Sequence, residues 1–376
     1  MKLKLNNLNK LPVRTWSWLK VNDASLMESI PDMKAYTKNP VKSNTTLLGD
    51  ISINSDISEL DIFSSMDIFP SMDTGMGAEA VDFIKECKNS GISVRVPSGM
   101  RIEEPVYLEY NLDEDDSTVV DLNYMIAEAG SEITVVMVYR SKEECPGFHG
   151  GLTYLMAGEN AVINFIQIQL LNEKVIHLNN IGAKISEGGI INLVQGELGG
   201  LKVMTGLHAD LVGNNSSMDI NTIFFGDKSR SLDFNYVVNQ FGRLSKSEMV
   251  LNGALLDDSR KVFRGTLDFK KGAAGAVGHE REFTLLFSPG IKNVSAPLIL
   301  CGEENVEGKH AANSGKIDEN KLFYMMSRGL DEVTAKKLII EAWFEPAIGK
   351  IPYTSLQNEI IEYMKERLSH VKSIQE

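Results

Sequence analysis

From about Ile92 to Leu300 the chain alternates apolar and polar residues in short runs and shows almost no helical period. Val120, Leu122, Tyr124 and Ile126 alternate with Asp121, Asn123 and Met125. Leu232, Phe234, Tyr236 and Val238 alternate with Asp233 and Asn235, and Phe263, Leu267 and Phe269 with Arg264, Thr266 and Asp268. Successive side chains of a strand point to opposite faces, so period two predicts strands with one buried and one wetter face. Gly and Asn punctuate the runs, as at Gly158-Glu159-Asn160, Gly188-Gly189, Gly199-Gly200 and Gly213-Asn214-Asn215, while proline is absent between Pro146 and Pro289. A sandwich, a barrel and a β-solenoid all fit this text, and no strict repeat chooses among them.

The flanks read differently. Residues 1–91 form a mixed, partly helical region. Within it Val81, Ile84 and Lys85 predict a helix over Ala78–Lys88 that stops at Asn89-Ser90-Gly91, and Ser52–Thr74 reads as an exposed connection. After a β region over 92–317, residues 318–376 return to helix. Asp318 and Asp331 are N-caps and Gly329 is a stop. Leu338, Ile339, Ala342 and Trp343 make one expected apolar face; Leu356, Ile360, Met364, Leu368 and Val371 make another, with Pro346 and Pro352 separating the helices. These faces are expected to pack on the end of the β region, so that removing 331–376 would leave that region folded.

Composition excludes several function classes. The chain of 376 residues carries a net charge of −13 and no Lys/Arg cluster, which argues against nucleic acid and anionic membrane as partners. No apolar stretch reaches the length of a membrane span, and Met1 to Asn7 lacks the apolar core of a secretion signal. Cys87, Cys145 and Cys301 are odd in number and far apart, which predicts a reducing, cytoplasmic setting rather than a disulfide framework. Three isolated cysteines also predict that no iron–sulfur cluster is held permanently within one chain.

Gly302 to His310 comes nearest to a phosphate loop. It has five residues between its glycines, three carboxylates, and His where Ser or Thr should meet magnesium, so nucleotide binding is not expected. The histidines at 149, 177, 208, 279 and 370 are scattered and read as structural or solvated.

Val306 to Leu330 carries the strongest signature. A Gly-rich polar stretch with His310-Ala311-Ala312 leads through Gly315 and Ile317-Asp318 into Leu322-Phe323-Tyr324-Met325-Met326-Ser327-Arg328-Gly329. This resembles the C-terminal signature of the SufB/SufD family, scaffold subunits of bacterial iron–sulfur cluster assembly. Phe148-His149-Gly150-Gly151-Leu152, Lys261-Val262-Phe263-Arg264-Gly265, the strand-like Pro297-Leu298-Ile299-Leu300 and the N-terminal Leu8–Leu19, with Pro12 and Arg14, also resemble family segments. In many relatives a cysteine stands where this chain has Gly308; Glu307 and His310 here resemble the Glu-X-X-His form of SufD in Gram-positive bacteria.

The resemblance implies a right-handed parallel β-helix with helical ends, and a non-catalytic scaffold working with a SufB-type scaffold and the SufC-type ATPase. It implies a transient cluster shared with a partner, with His310 and Glu307 as a candidate ligand pair, imidazole and carboxylate being donors that iron accepts. Cys301 is a minor candidate, and Gly265 is expected to let neighbouring turns approach. Phe323, Tyr324, Arg328 and Trp343 become the candidate ATPase-docking surface. A homodimer of the isolated chain and a reduced flavin in the assembled complex stay open. So do two alternatives: a SufB-like principal scaffold, disfavoured by the lack of cysteine in His279 to Phe283, and a β-helix carbohydrate-active enzyme, disfavoured by the missing signal and acidic groove.

Overall fold

The computed structural model describes residues 1–15, 17–43, 52–56, 60 and 72–368. Trp16, most of Ser52–Thr74, His370 and Val371 lie outside the described residues. The N-terminal region carries an antiparallel pair, β1 (Lys2–Leu8) and β2 (Ala24–Ser29), then β3 (Ser52–Asn54) and helix α1 (Ala78–Cys87). The ribbon is a strand pair beyond the one helix and exposed connection that the spacing of this region predicts. Its buried face in β1 is only Leu3, Leu5 and Leu8, too brief to stand out in the sequence.

A parallel β-solenoid of eight turns follows, each turn giving one strand to either of two sheets. One sheet holds β4 (Ser90–Val96), β6 (Thr118–Ala127), β8 (Gly147–Ala157), β10 (Val175–Ile185), β12 (Lys202–Leu211), β14 (Ser231–Gln240), β16 (Arg260–Phe269) and β18 (Lys292–Cys301). The other holds β5 (Val106–Leu112), β7 (Glu132–Ser141), β9 (Val162–Leu170), β11 (Ile190–Glu197), β13 (Ser217–Gly226), β15 (Lys246–Leu255), β17 (Val277–Leu286) and β19 (Glu307–Gly315). Neighbouring turns do not have one length: Gly147 pairs with Val175, Ile176 with Lys202, and Arg260 with Lys292. Corner loops absorb the difference, which is why no strict repeat is visible in the sequence.

Parallel sheets are ordinarily covered on both faces, and this solenoid follows that rule. The interior holds residues such as Val94, Met125, Phe165, Leu207, Phe234, Phe263 and Phe269. Outside the first sheet, α1 and the β1–β2 ribbon cover Val120, Leu122, Tyr124 and Ile126. The alternation in β6 is therefore inverted relative to the simple expectation: its apolar set faces outward under α1, and Asp121 and Asn123 face the interior, where all are buried. Phe263, Leu267 and Phe269 of β16 do face inward. Arg264 faces outward, bonding Val21 O and Asp233 and so pinning the N-terminal segment.

Three helices follow β19: α2 (Glu319–Ser327), α3 (Glu332–Ile348) and α4 (Thr354–Leu368). Asp318 accepts from Asn320 N at 2.9 Å, Asp331 accepts from Thr334 N at 2.9 Å, and Gly329 takes φ +95°, so both caps and the stop are as expected. The helices do not pack on the solenoid end. Ile340, Phe344, Ala347, Leu356, Ile360, Met364 and Leu368 lie against Val136, Ile168, Val194, Ile223 and Phe225 on the outer face of the second sheet. Removing 331–376 would therefore uncover the outer face of that sheet.

The expected face of α4 is buried, but that of α3 is not: Leu338 and Ala342 are exposed, while Ala335, Ile340, Phe344 and Ala347 are buried. Leu338 to Phe344 is apolar almost all round, so its local pattern selects no face. Pro346 lies inside the last turn of α3 rather than between helices. Among the described residues no helix is long and apolar enough to cross a membrane.

Candidate functional site

The far end of the solenoid is open. β18 and β19 are the terminal strands of their sheets, β18 is mostly half-buried, and every residue of β19 is exposed. The first turn differs, since β3 pairs antiparallel with β4 there.

Strand geometry separates the residues of β19. His310 is in register with Glu280 and Gly308 with Gly278, on β17 positions that point into the interior; Glu307 and Lys309 align with Val277 and His279 on the outer face. The structure thus does not bring Glu307 and His310 together. Residues three apart on a strand point to opposite sides. Glu307 instead bonds Lys309 and His279 (3.3 Å), and His279 bonds Glu248 (3.2 Å), a surface network that, with Lys309 bonded first, holds the Glu307 carboxyl below its ordinary value. Gly308 shares the inner face with His310, and a Cβ there would lie 3.0 Å from the Phe269 ring. Cys301 is exposed at the end of β18. Gly302 to His310 runs from β18 into a strand, so no helix N-terminus follows it to hold a phosphate.

Behind His310 lies a buried charged group that the sequence reading did not single out. Lys261 is paired with Glu282 and bonds Ser295 Oγ at 3.1 Å, with its ammonium 5.7 Å from the Phe263 ring centroid. Burial pulls the Lys261 ammonium down in pKa, against the pull of Glu282. Among the described residues Glu280 has no counter-ion of its own: burial first, then the Glu282 charge, push its carboxyl up to about 8. One buried lysine balances one carboxylate, so the second keeps its proton. Gly265 makes room for that carboxyl. A Cβ at 265 would lie 2.4 Å from Glu280 Oε2, so the glycine serves a side chain across the interior, rather than the approach of neighbouring turns. Alternation could have flagged Glu280 and Glu282, because Gly278, Glu280, Glu282 and Thr284 fall on one side of β17. Among the described residues no three His, Cys, Asp or Glu side chains are grouped to hold a metal ion.

A second feature lies on α2, none of whose residues is buried. Phe323 is 73% and Tyr324 59% exposed, and the Arg328 guanidinium sits 5.2 Å from the Tyr324 ring centroid. Trp343 does not join them. It is half-buried on α3, edge-on to Phe283 at 5.8 Å, and positions that helix against the second sheet.

Residues 110–343 match the family model described as the SUF system FeS cluster assembly, SufBD core domain. Similar proteins include the iron–sulfur cluster assembly protein SufD of Bacillus subtilis, 23% identical over 282 residues, which are 74% of this chain and 64% of that protein. An iron–sulfur cluster assembly SufBD family protein of Mycobacterium leprae is 22% identical over 73% of this chain and 32% of its own length. One from Staphylococcus saprophyticus is 22% identical over 74% and 60%. The chain therefore spans less than two thirds of the length of the relatives it matches. With the family model covering most of the sequence, it belongs to the SufBD family of iron–sulfur cluster assembly proteins.

Proposed function

We propose that this SufBD-family chain is a non-catalytic, SufD-like scaffold subunit that acts in the cytoplasm. In this reading a SufB-type scaffold meets its open solenoid end, and a SufC-type ATPase docks on α2. The observation that carries the reading is His310 pointing into the solenoid from a fully exposed edge strand, in register with Glu280. An exposed edge offers a row of unpaired N–H and C=O groups that a second strand can satisfy. A partner seated on β18 and β19 would close the end over His310 and supply the further ligands, since the described residues hold no group of three His, Cys, Asp or Glu for a metal ion. Iron and sulfide are then cargo: the neutral imidazole gives one nitrogen donor to a nascent cluster, and the partner gives the rest. The exposed aromatic pair on α2 suits docking, since such side chains dominate binding once desolvated.

His310→Ala removes the donor while touching only an exposed position, where substitutions shift stability by about 0.5 kcal/mol or less. After anaerobic co-expression with the SufB-type and SufC-type partners, cluster content per complex should fall at unchanged melting temperature. Wild-type cluster content would overturn the ligand role. Phe323→Ala with Tyr324→Ala should abolish co-purification with the ATPase and leave the fold intact; retained binding at unchanged affinity would refute that docking surface.

A further inference from the structure

Two buried carboxylate oxygens on the inner face of β17, Glu280 Oε2 and Glu282 Oε2, have no hydrogen-bond partner among the described residues. Buried polar atoms are nearly always satisfied, so each calls for a reason. For Glu282 the reason is local. Its other oxygen is paired with the Lys261 ammonium and accepts from the Thr284 hydroxyl at 3.1 Å, so the charge is already met. Lys261 has no second ammonium to give Glu280, and the same balance leaves the Glu280 oxygen orphaned.

Room for the Glu280 carboxyl is nevertheless built in. Gly265 lies across the interior, and a Cβ there would fall 2.4 Å from Oε2 and 2.7 Å from Oε1. One turn on, His310 of β19 is in register with Glu280, on the same face of the sheet. Neighbouring strands run about 4.8 Å apart, so a carboxylate and an imidazole standing side by side can reach one ion between them. Carboxylate oxygen and imidazole nitrogen are donors that ferrous iron accepts. Every residue of β19 is exposed, which leaves His310 open to an entering ion. Glu307, the expected companion of His310, is instead engaged with Lys309 and His279 on the outer face.

We propose that Glu280 is the second iron donor of this chain, ligating the same incoming ferrous ion as His310 at the open end of the solenoid. The inference rests on the reading of His310 as a donor to nascent cluster iron, and it replaces Glu307 by a residue of the preceding turn. A carboxylate ligates in its ionised form, so the ion displaces the Glu280 proton to solvent. In the metal-free chain the space beside Gly265 holds the carboxyl. Rotation about the Glu280 side-chain bonds turns it toward His310 when iron arrives. The orphaned oxygen gains its partner only with the cargo bound.

Anaerobic calorimetric titration of Fe(II) into the full chain, without sulfide or partner proteins, tests this. Wild type should bind one ion per chain. Glu280→Gln keeps the shape of the acid but offers only an amide, and should raise the Fe(II) Kd by about tenfold or more, since removing a ligand's support alone costs about that much. His310→Ala should do the same, while Glu307→Gln should bind as wild type does. Melting temperatures of the metal-free variants are measured alongside. Wild-type affinity in Glu280→Gln would overturn the proposal, as would weakened binding in Glu307→Gln or no Fe(II) binding by the wild-type chain. Wild-type affinity in His310→Ala would overturn it too, because the ion would not be shared. The His310 reading itself is judged separately, by the cluster content of the co-expressed complex, so the two can fail independently.

Discussion

Replacing Glu280 by Gln removes a charge that the folded interior already refuses. Lys261 is taken by Glu282, so the Glu280 carboxyl, 2% exposed, is pushed to about 8 from an ordinary 4.5. At pH 7 the unfolded chain has released this proton and the folded chain has retained it. Folding must then draw a proton from solution across about 2.5 pH units, and at about 1.4 kcal/mol per unit that costs roughly 3 kcal/mol. The sign follows from a raised acid: stability is greatest below about pH 4.5, falls as pH rises, and levels off above about 8. Gln is neutral and nearly isosteric with the protonated acid, so Glu280→Gln should be more stable than wild type by up to about 3 kcal/mol at pH 7. It should also lack this site's share of the decline between pH 5 and 8. Urea unfolding followed by circular dichroism at several pH values reads both effects. Parallel pH curves, or a variant less stable than wild type at pH 7, would show that Glu280 is ionised in the fold and would refute the argument. A cost of this size at a position facing His310 is the kind of strain that functional sites retain.

Gly265→Ala should destabilise by about 1–3 kcal/mol, because the new Cβ collides with the Glu280 carboxyl; Glu280→Ala in the same chain should remove most of the loss, which a double-mutant cycle on unfolding midpoints reads directly. Arg367 bonds Asp227 (Nε at 2.9 Å) and stacks 4.6 Å from the Phe225 ring centroid, tying α4 to the solenoid. Arg367→Met should cost about 3 kcal/mol, at the low end for a broken buried pair because Arg230 still meets Asp227, and limited proteolysis should then cut α4 first. Burial raises Asp227, but Arg367 and Arg230 hold it below its ordinary value, so the wild-type advantage should fade as pH falls through the folded value.

Much of the local structure is written in the sequence. Period two marked the strands, Asp318 and Asp331 announced helix starts through their side-chain oxygens, and Gly329 ended α2 in a left-handed conformation closed to most residues. The apolar stripe of α4 was equally plain, because polar residues flank it. These signals are local: a cap, a stop or an alternation is decided by residues a few positions apart. Residue pattern left sandwich, barrel and solenoid equal, and the family signature chose the solenoid.

Tertiary structure decided the rest, because pairing in a solenoid joins residues about thirty apart and the local pattern does not say what covers each face. It turned the apolar side of β6 outward under α1 and gave the interior Asp121. It laid α3 and α4 along a flank, leaving the solenoid end bare. It split Glu307 from His310 by placing both on a strand, and set Glu280 behind the histidine through the register of β17 and β19. Alternation fixes that two faces differ; only the neighbouring turn and the covering helix decide which face is inside.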